Sequence, residues 1–198
     1  MESNFNVDQF NSIVQSRRSV FPYQFIPGKA VPDEIIWQIL DNANRAPNHK
    51  HTEPWRFTVF AGEGLQRFST LQSEIYTRYA GEKFKEAKIK NLVEYPLMSS
   101  HVIAIGMKRN EENKLPESEE IIATACAIEN IYLSATAYGL GGYLSTGGIT
   151  YFEEAKAYFD LGPGDRLLGF FYLGYIATPA TSLSKREPVK EKVKWIKN

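Results

Sequence analysis

The stretch from Glu119 to Tyr138 constrains this chain more than any other. Ile121, Ile122, Ala125, Ile128, Ile131, Tyr132 and Ala135 recur at the helical period, and small residues fill much of the surface between them. A helix with so little polar surface is expected to lie centrally in the fold or in a contact between two copies. Gly139 ends it. Two apolar runs are available to pack against it. HVIAIGM (101–107) reads as a central strand buried on both faces, and LLGFFYLGY (167–175) as the last strong strand.

The rest of the chain falls into order around these elements. Val7, Phe10, Ile13 and Val14 share one face of a helix over 7–17 that stops at Arg17-Arg18-Ser19. A second helix opens at Pro32, with Asp33 and Glu34 beside its positive end, and finishes before Pro47. WRFTVFA (55–61) alternates as a strand. A long amphipathic helical stretch covers 65–92 and weakens near Gly81. GGYLSTGGIT (141–150) has room for a short strand, and FEEAKAYFDL for a short helix ended by Gly162-Pro163-Gly164. Helices alternate with strands after two leading helices, which predicts an α+β fold with a sheet sandwiched by helices. No repeat or low-complexity linker interrupts it, so 1–198 is expected to be one domain.

Composition excludes several classes. Lys+Arg and Asp+Glu are both 23, so bulk attraction to nucleic acid or to an anionic membrane surface is not expected. The single cysteine, Cys126, sits among alanines in the apolar helix and reads as a core residue, with no internal disulfide and no CxxC metal site available. HExxH, GxGxxG after a strand, GK[ST] and GxSxG are all absent. The N-terminus lacks a basic region followed by an apolar run, and the longest uncharged stretch, 130–152, is too rich in Gly, Ser and Thr to span a membrane. A cytoplasmic protein is the default expectation. Aromatic residues make up 13% of the chain, a surplus suited to a planar ligand or a subunit interface.

Four clusters carry possible chemistry. Arg17-Arg18-Ser19 offers two guanidiniums and a hydroxyl, suited to phosphate, although arginine at a helix C-terminus also simply complements the dipole. The loop Arg45-Ala-Pro-Asn-His49-Lys-His51-Thr-Glu53-Pro-Trp55 concentrates cationic side chains at the entrance to a strand; alternatively it is a solvated turn. No metal is expected there, since the ligands would have to come from neighbouring loop positions. Gly139 to Gly148 allows backbone to approach a flat ligand closely, or makes only a turn. Ser184-Lys185-Arg186 is a basic cluster in the tail.

Taken in order, RRS after the first helix, AP(47) to PWRF(57), the GG turn, GFFYLGY (169–175) and the basic tail resemble the flavin-dependent nitroreductase family over most of the chain. The APNHKHTEPW loop is similar to a short, compact branch with A-P-x-H-K at this place. The resemblance implies a three-layer α-β-α sandwich with a mostly antiparallel central sheet and a C-terminal tail exchanged with the partner subunit. It implies a homodimer with FMN at the subunit interface, each flavin touching both chains. Arg17, Arg18 and Ser19 would then bind the phosphate, ribityl chain and pyrimidine edge, and Arg45 and His49 would reach the cofactor from their loop. Leu144, Ser145 and Thr146 would lie along the ring, where some relatives have Trp-Arg-Ser. Arg186, with Lys185, would meet the phosphate. His51 and Glu53 depart from the Asn and Gln of many members. The implied activity is a two-step reduction: NADH or NADPH donates, leaves, and a nitroaromatic, quinone or similar electron-poor acceptor follows. The cofactor supplies the redox chemistry, so no catalytic acid or base is assigned. The alternatives are a flavin-binding relative that dehydrogenates a substrate or cleaves the flavin, and a non-enzymatic dimeric binding protein.

Overall fold

The computed structural model describes residues 5–112, 114–178 and 186–197. Helix α1 (Val7–Ser16) opens where the Asn6 side chain accepts the Gln9 N–H at 2.9 Å. Helix α2 (Asp33–Ala43) follows Pro32, with Asp33 and Glu34 in its first turn. Strand β1 (Trp55–Ala61) leads to α3 (Glu63–Tyr79) and α4 (Glu86–Leu97). The single helix expected over 65–92 is therefore two. The backbone turns left-handed at Gly81, and the buried Tyr76 hydroxyl staples the break, donating to Lys83 O at 2.9 Å and accepting the Lys85 N–H at 3.1 Å. Strand β2 (His101–Met107), helix α5 (Glu117–Ala137), strand β3 (Leu140–Ser145), the short helix α6 (Glu153–Lys156) and strand β4 (Arg166–Tyr175) complete the order.

The four strands form one sheet in the order β1-β2-β4-β3, every pairing antiparallel. Side chains alternate across it. Val102, Ala104, Phe170 and Tyr172 face a core built with Phe68, Ile75 and Tyr76 of α3 and Leu92 of α4. Ile103, Ile105, Phe171 and Leu173 face a second core with Ile36, Ile39 and Ala43 of α2 and Ala123, Ala127, Ile131 and Tyr132 of α5. Both sheet faces are covered, which is why β2 is buried at every position and reads as an unbroken apolar run. This is the α-β-α sandwich expected of the chain.

Helix α5 is pinned to α2 by Asn42 Nδ2 donating to Ser134 Oγ and Asn130 Nδ2 donating to Asn42 O, both at 3.0 Å. At its N-terminal end the buried Glu120 pairs with Arg109 at 2.5 Å and accepts the Asn110 N–H at 2.8 Å. Helix α1 behaves differently. None of its residues is buried, and Val7, Phe10 and Val14 leave its apolar stripe exposed beside Phe5.

Candidate functional site

Arg17 closes α1 through its N–H to Ile13 O and then turns the chain extended. The next residues run beside the edge strand β3. Ser19 bridges Gly142, and the Val20 N–H reaches Gly142 O at 2.9 Å. Glycine at 142 is required by closeness: a Cβ there would sit 2.4 Å from Phe171 Cζ. This approach leaves both arginines at one mouth. The Arg17 guanidinium stands 5.1 Å from the centre of the Tyr132 ring, and Arg18 Nη1 donates to Gln15 O at 2.9 Å.

A cavity of about 850 Å³ opens beside α1, lined by Asp8, Asn11, Ser12, Arg17, Arg18 and Arg186. Among the described residues no carboxylate lies within ion-pair distance of Arg17, Arg18 or Arg186. Three guanidiniums around one opening form a donor set that suits a phosphate dianion. Lys185 lies outside the described residues.

Leu144 and Ser145 end β3, and Thr146 begins the turn that follows. The Leu144 N–H donates to Tyr132 Oη at 2.9 Å, so one buried tyrosine links the arginine mouth to the 144–146 strip. Its ring meets Phe171 edge-on at 4.6 Å. Tyr132 is the residue of this candidate site that sequence reasoning missed: its place in the helical repeat marks it as core, and its hydroxyl's reach across to β3 has no local sequence signal. A second cavity, about 270 Å³, lies between this strip and α4, walled by Tyr95, Tyr143 and Tyr172 and reached by Lys88. Burial pushes the Tyr172 phenol up, with the neighbouring Tyr143 and Tyr95 adding to the rise and the Gln72 amide opposing it. Tyr95 is raised by burial first and by Tyr143, Tyr23 and Glu94 after it.

The Arg45–His49 loop stands apart from both cavities. Arg45 is exposed and 4.0 Å from Asp41. His49 Nδ1 pairs with Glu119 in the first turn of α5. Lys50, His51 and Glu53 all have positive φ, conformations that cost about 1–3 kcal/mol each in a non-glycine residue. The Asn48 side chain holds the turn by accepting the Glu53 N–H at 3.1 Å, and Trp55 Nε1 donates to Asn44 Oδ1 at 2.8 Å. Glu53 lines a separate groove of about 430 Å³ with Trp37 and Trp55, and His51 lines no cavity described here. Glu119 and Tyr132 are separated along α5 by a rise of roughly 20 Å at about 1.5 Å per residue. Within one chain, then, His49 and Arg17 sit at opposite ends of the same helix. No cluster of three or more His, Cys, Asp or Glu among the described residues is arranged to hold a metal ion.

A family model described as the Nitroreductase family matches residues 14–175. The chain is 30% identical over 156 residues to "Putative NAD(P)H nitroreductase YdjA" of Escherichia coli K12, covering 78% of this chain and 84% of that one. Among solved structures, a nitroreductase-like family protein from Bacillus cereus aligns over 100% of both chains with a TM-score of 0.80 and 26% identity. The structure of a "putative nitroreductase in complex with FMN" from Desulfovibrio desulfuricans aligns over 100% of this chain and 99% of that one with a TM-score of 0.69 and 19% identity.

Proposed function

The chain belongs to the nitroreductase family, and on that premise we propose that it is an FMN-dependent oxidoreductase that takes electrons from NADH or NADPH and reduces nitroaromatic, quinone or similar electron-poor acceptors. The observation that carries this reading is the convergence of Arg17, Arg18 and Arg186, free of carboxylate partners among the described residues, on a cavity that Tyr132 joins to the 144–146 strip. FMN, when bound, supplies hydride and electron transfer between donor and acceptor.

The chain's own residues bind and orient. Arg17 and Arg186 neutralise the phosphate, with Arg18 and Ser19 reaching the ribityl chain and the pyrimidine edge. Leu144, Ser145 and Thr146 lie along the ring. Arg45 and His49 contact the cofactor from their loop. No side chain is assigned as acid or base. For a nitroarene the overall balance is ArNO2 + NAD(P)H + H⁺ → ArNO + NAD(P)⁺ + H2O, a two-electron reduction with the proton drawn from solvent. A quinone takes the same two electrons to become a hydroquinone. Donor and acceptor occupy the one open site in turn.

The working unit in this reading is a homodimer of single-domain subunits, located in the cytoplasm. The bare apolar stripe of α1 supports it, as do Val189, Trp195 and Ile196, which stand exposed in the tail expected to cross to the partner. The separation of His49 from Arg17 supports a site shared by two chains: one supplies the arginines and the other the loop. No helix among the described residues is long and apolar enough to cross a membrane.

Purification is the test. The protein should be yellow, with a flavin spectrum, and should oxidise NADH or NADPH when a quinone is added. A protein that neither retains nor rebinds FMN refutes the reading and favours a non-enzymatic dimer. Bound FMN without NAD(P)H oxidation favours substrate dehydrogenation or flavin cleavage.

A further inference from the structure

Among the described residues that line the smaller cavity, Lys88 is the one charged side chain. Leu144, Ser145 and Thr146 form part of the wall, so in the proposed reading this cavity receives the flavin ring itself. The rest of the wall is a tyrosine box, with Tyr95 at 6.3 Å from Tyr143 and both at 6.1 Å from Tyr172. These rings offer flat apolar faces with hydroxyls at their edges. Burial pushes the Tyr172 and Tyr95 phenols up, so their hydroxyls bring no charge at neutral pH.

Lys88 is half-buried in the first turn of α4. Its Nζ lies 3.7 Å from where a Cβ on Gly147 would stand and 5.3 Å from the centre of the Tyr76 ring. Among the described residues no carboxylate is within ion-pair distance of it, and Glu94 of the same helix stands 4.0 Å from Lys90 instead. A π face orients an ammonium without neutralising it, so the charge is left to act on whatever fills the cavity. Partial burial strengthens that action, because less water lies between the charge and its target.

An oxidised flavin ring is uncharged. Hydride transfer changes that: NAD(P)H + FMN → NAD(P)⁺ + FMNH⁻, with two electrons and one proton moving together and the ring gaining one negative charge. A fixed cation in the ring's own pocket attracts the reduced form and is nearly indifferent to the oxidised one, and charge beside the ring is one means by which a protein tunes a flavin. We infer that Lys88 sets the cofactor's reduction potential, holding it up by stabilising the anionic reduced ring. The inference rests on the proposed FMN function and adds a distinct role to it. Arg17 and Arg186, assigned to the phosphate, act on a charge that is the same in both redox states, whereas Lys88 acts on the charge that changes.

The test compares the two redox states of the flavin-loaded protein, with no turnover required. Lys88→Met should leave oxidised FMN bound within about twofold of the parent and weaken reduced FMN about tenfold. The thermodynamic cycle then requires a midpoint potential lower by about 30 mV, the equivalent of tenfold for a two-electron couple, read against a reference dye under anaerobic conditions. Lys88→Gln keeps a hydrogen-bonding group without the charge and should lower the potential as far as Met does. Lys88→Arg keeps the charge and should restore the parental value. A parental potential in both the Met and Gln variants, or an equal loss of affinity for the two redox states, overturns the inference while FMN binding and NAD(P)H oxidation stand. A parent that binds no FMN removes the proposed function and the inference together.

Discussion

Tyr132→Phe separates two jobs that one side chain performs. The hydroxyl accepts the Leu144 N–H at 2.9 Å, and the ring carries the Arg17 guanidinium at 5.1 Å and packs on Phe171 at 4.6 Å. Removing the hydroxyl leaves a partly buried amide without its acceptor, a loss of about 1–2 kcal/mol. For a chain of 198 residues this lowers the melting temperature by about 3–6 °C. The ring stays, so Arg17 stays placed, and FMN affinity should fall by no more than about threefold, under 0.7 kcal/mol. Tyr132→Leu removes the ring as well. It adds the loss of the cation–π contact and the aromatic pair, each about 0.5–1.5 kcal/mol, and frees Arg17 to leave the mouth. Its FMN affinity should fall about tenfold. Thermal unfolding of the apoprotein at one fixed concentration, paired with flavin titration, measures both effects. A Tyr132→Phe protein as stable as the parent, or one that loses more FMN affinity than Tyr132→Leu, refutes the assignment of hydroxyl to backbone and ring to arginine.

Arg17→Ala and Arg186→Ala should each weaken FMN binding by about 1.5–3 kcal/mol, read by flavin titration, and parental affinity in both would displace the phosphate site. Mixed dimers of an Arg17→Ala chain with a His49→Ala chain should recover one flavin site of parental affinity, because a shared site gathers both substitutions into the other; recovery of none places Arg17 and His49 in the same chain's site. Gly142→Ala should cost about 3 kcal/mol in urea unfolding, since its Cβ would meet the buried Phe171 ring at 2.4 Å. Alkaline unfolding should begin near pH 10: Tyr172 and Tyr95 are raised in the folded state, so the unfolded chain ionises first and stability present below about pH 10 falls as pH rises further. Tyr172→Phe should make that fall shallower in a pH series of melting curves.

Elements with a strong period were legible before any coordinates. Trp55–Ala61 and His101–Met107 fall where alternation and the apolar run place them. The break between α3 and α4 was visible only as a glycine, because a side-chain hydroxyl from Tyr76 to two backbone groups fixes it. The candidate site divides in the same way. Clusters of like residues, such as Arg17-Arg18, announce themselves in sequence. The partners that organise them come from distant segments: Tyr132 lies 12 residues from Leu144, and His49 lies 70 from Glu119. The aromatic surplus was readable as a number, but its division between core rings such as Phe68 and Phe170 and the tyrosine box is a matter of tertiary packing.

The zero net charge takes on a different meaning once the pairs are placed. Arg67 and Arg109 each meet a glutamate, as Arg166 meets Glu117 at 2.5 Å. Those pairs cancel locally. Arg17, Arg18 and Arg186 have no such partner among the described residues, and Arg17 is instead held by a π face, which orients a guanidinium without neutralising it. Three guanidiniums gathered at one cavity without ion-pair partners concentrate positive field there. Three unpaired guanidiniums also repel one another across that cavity, a cost the apoprotein carries and a dianion relieves. In the proposed reading, binding of a phosphate-bearing cofactor there gains twice, by attraction and by the repulsion it removes.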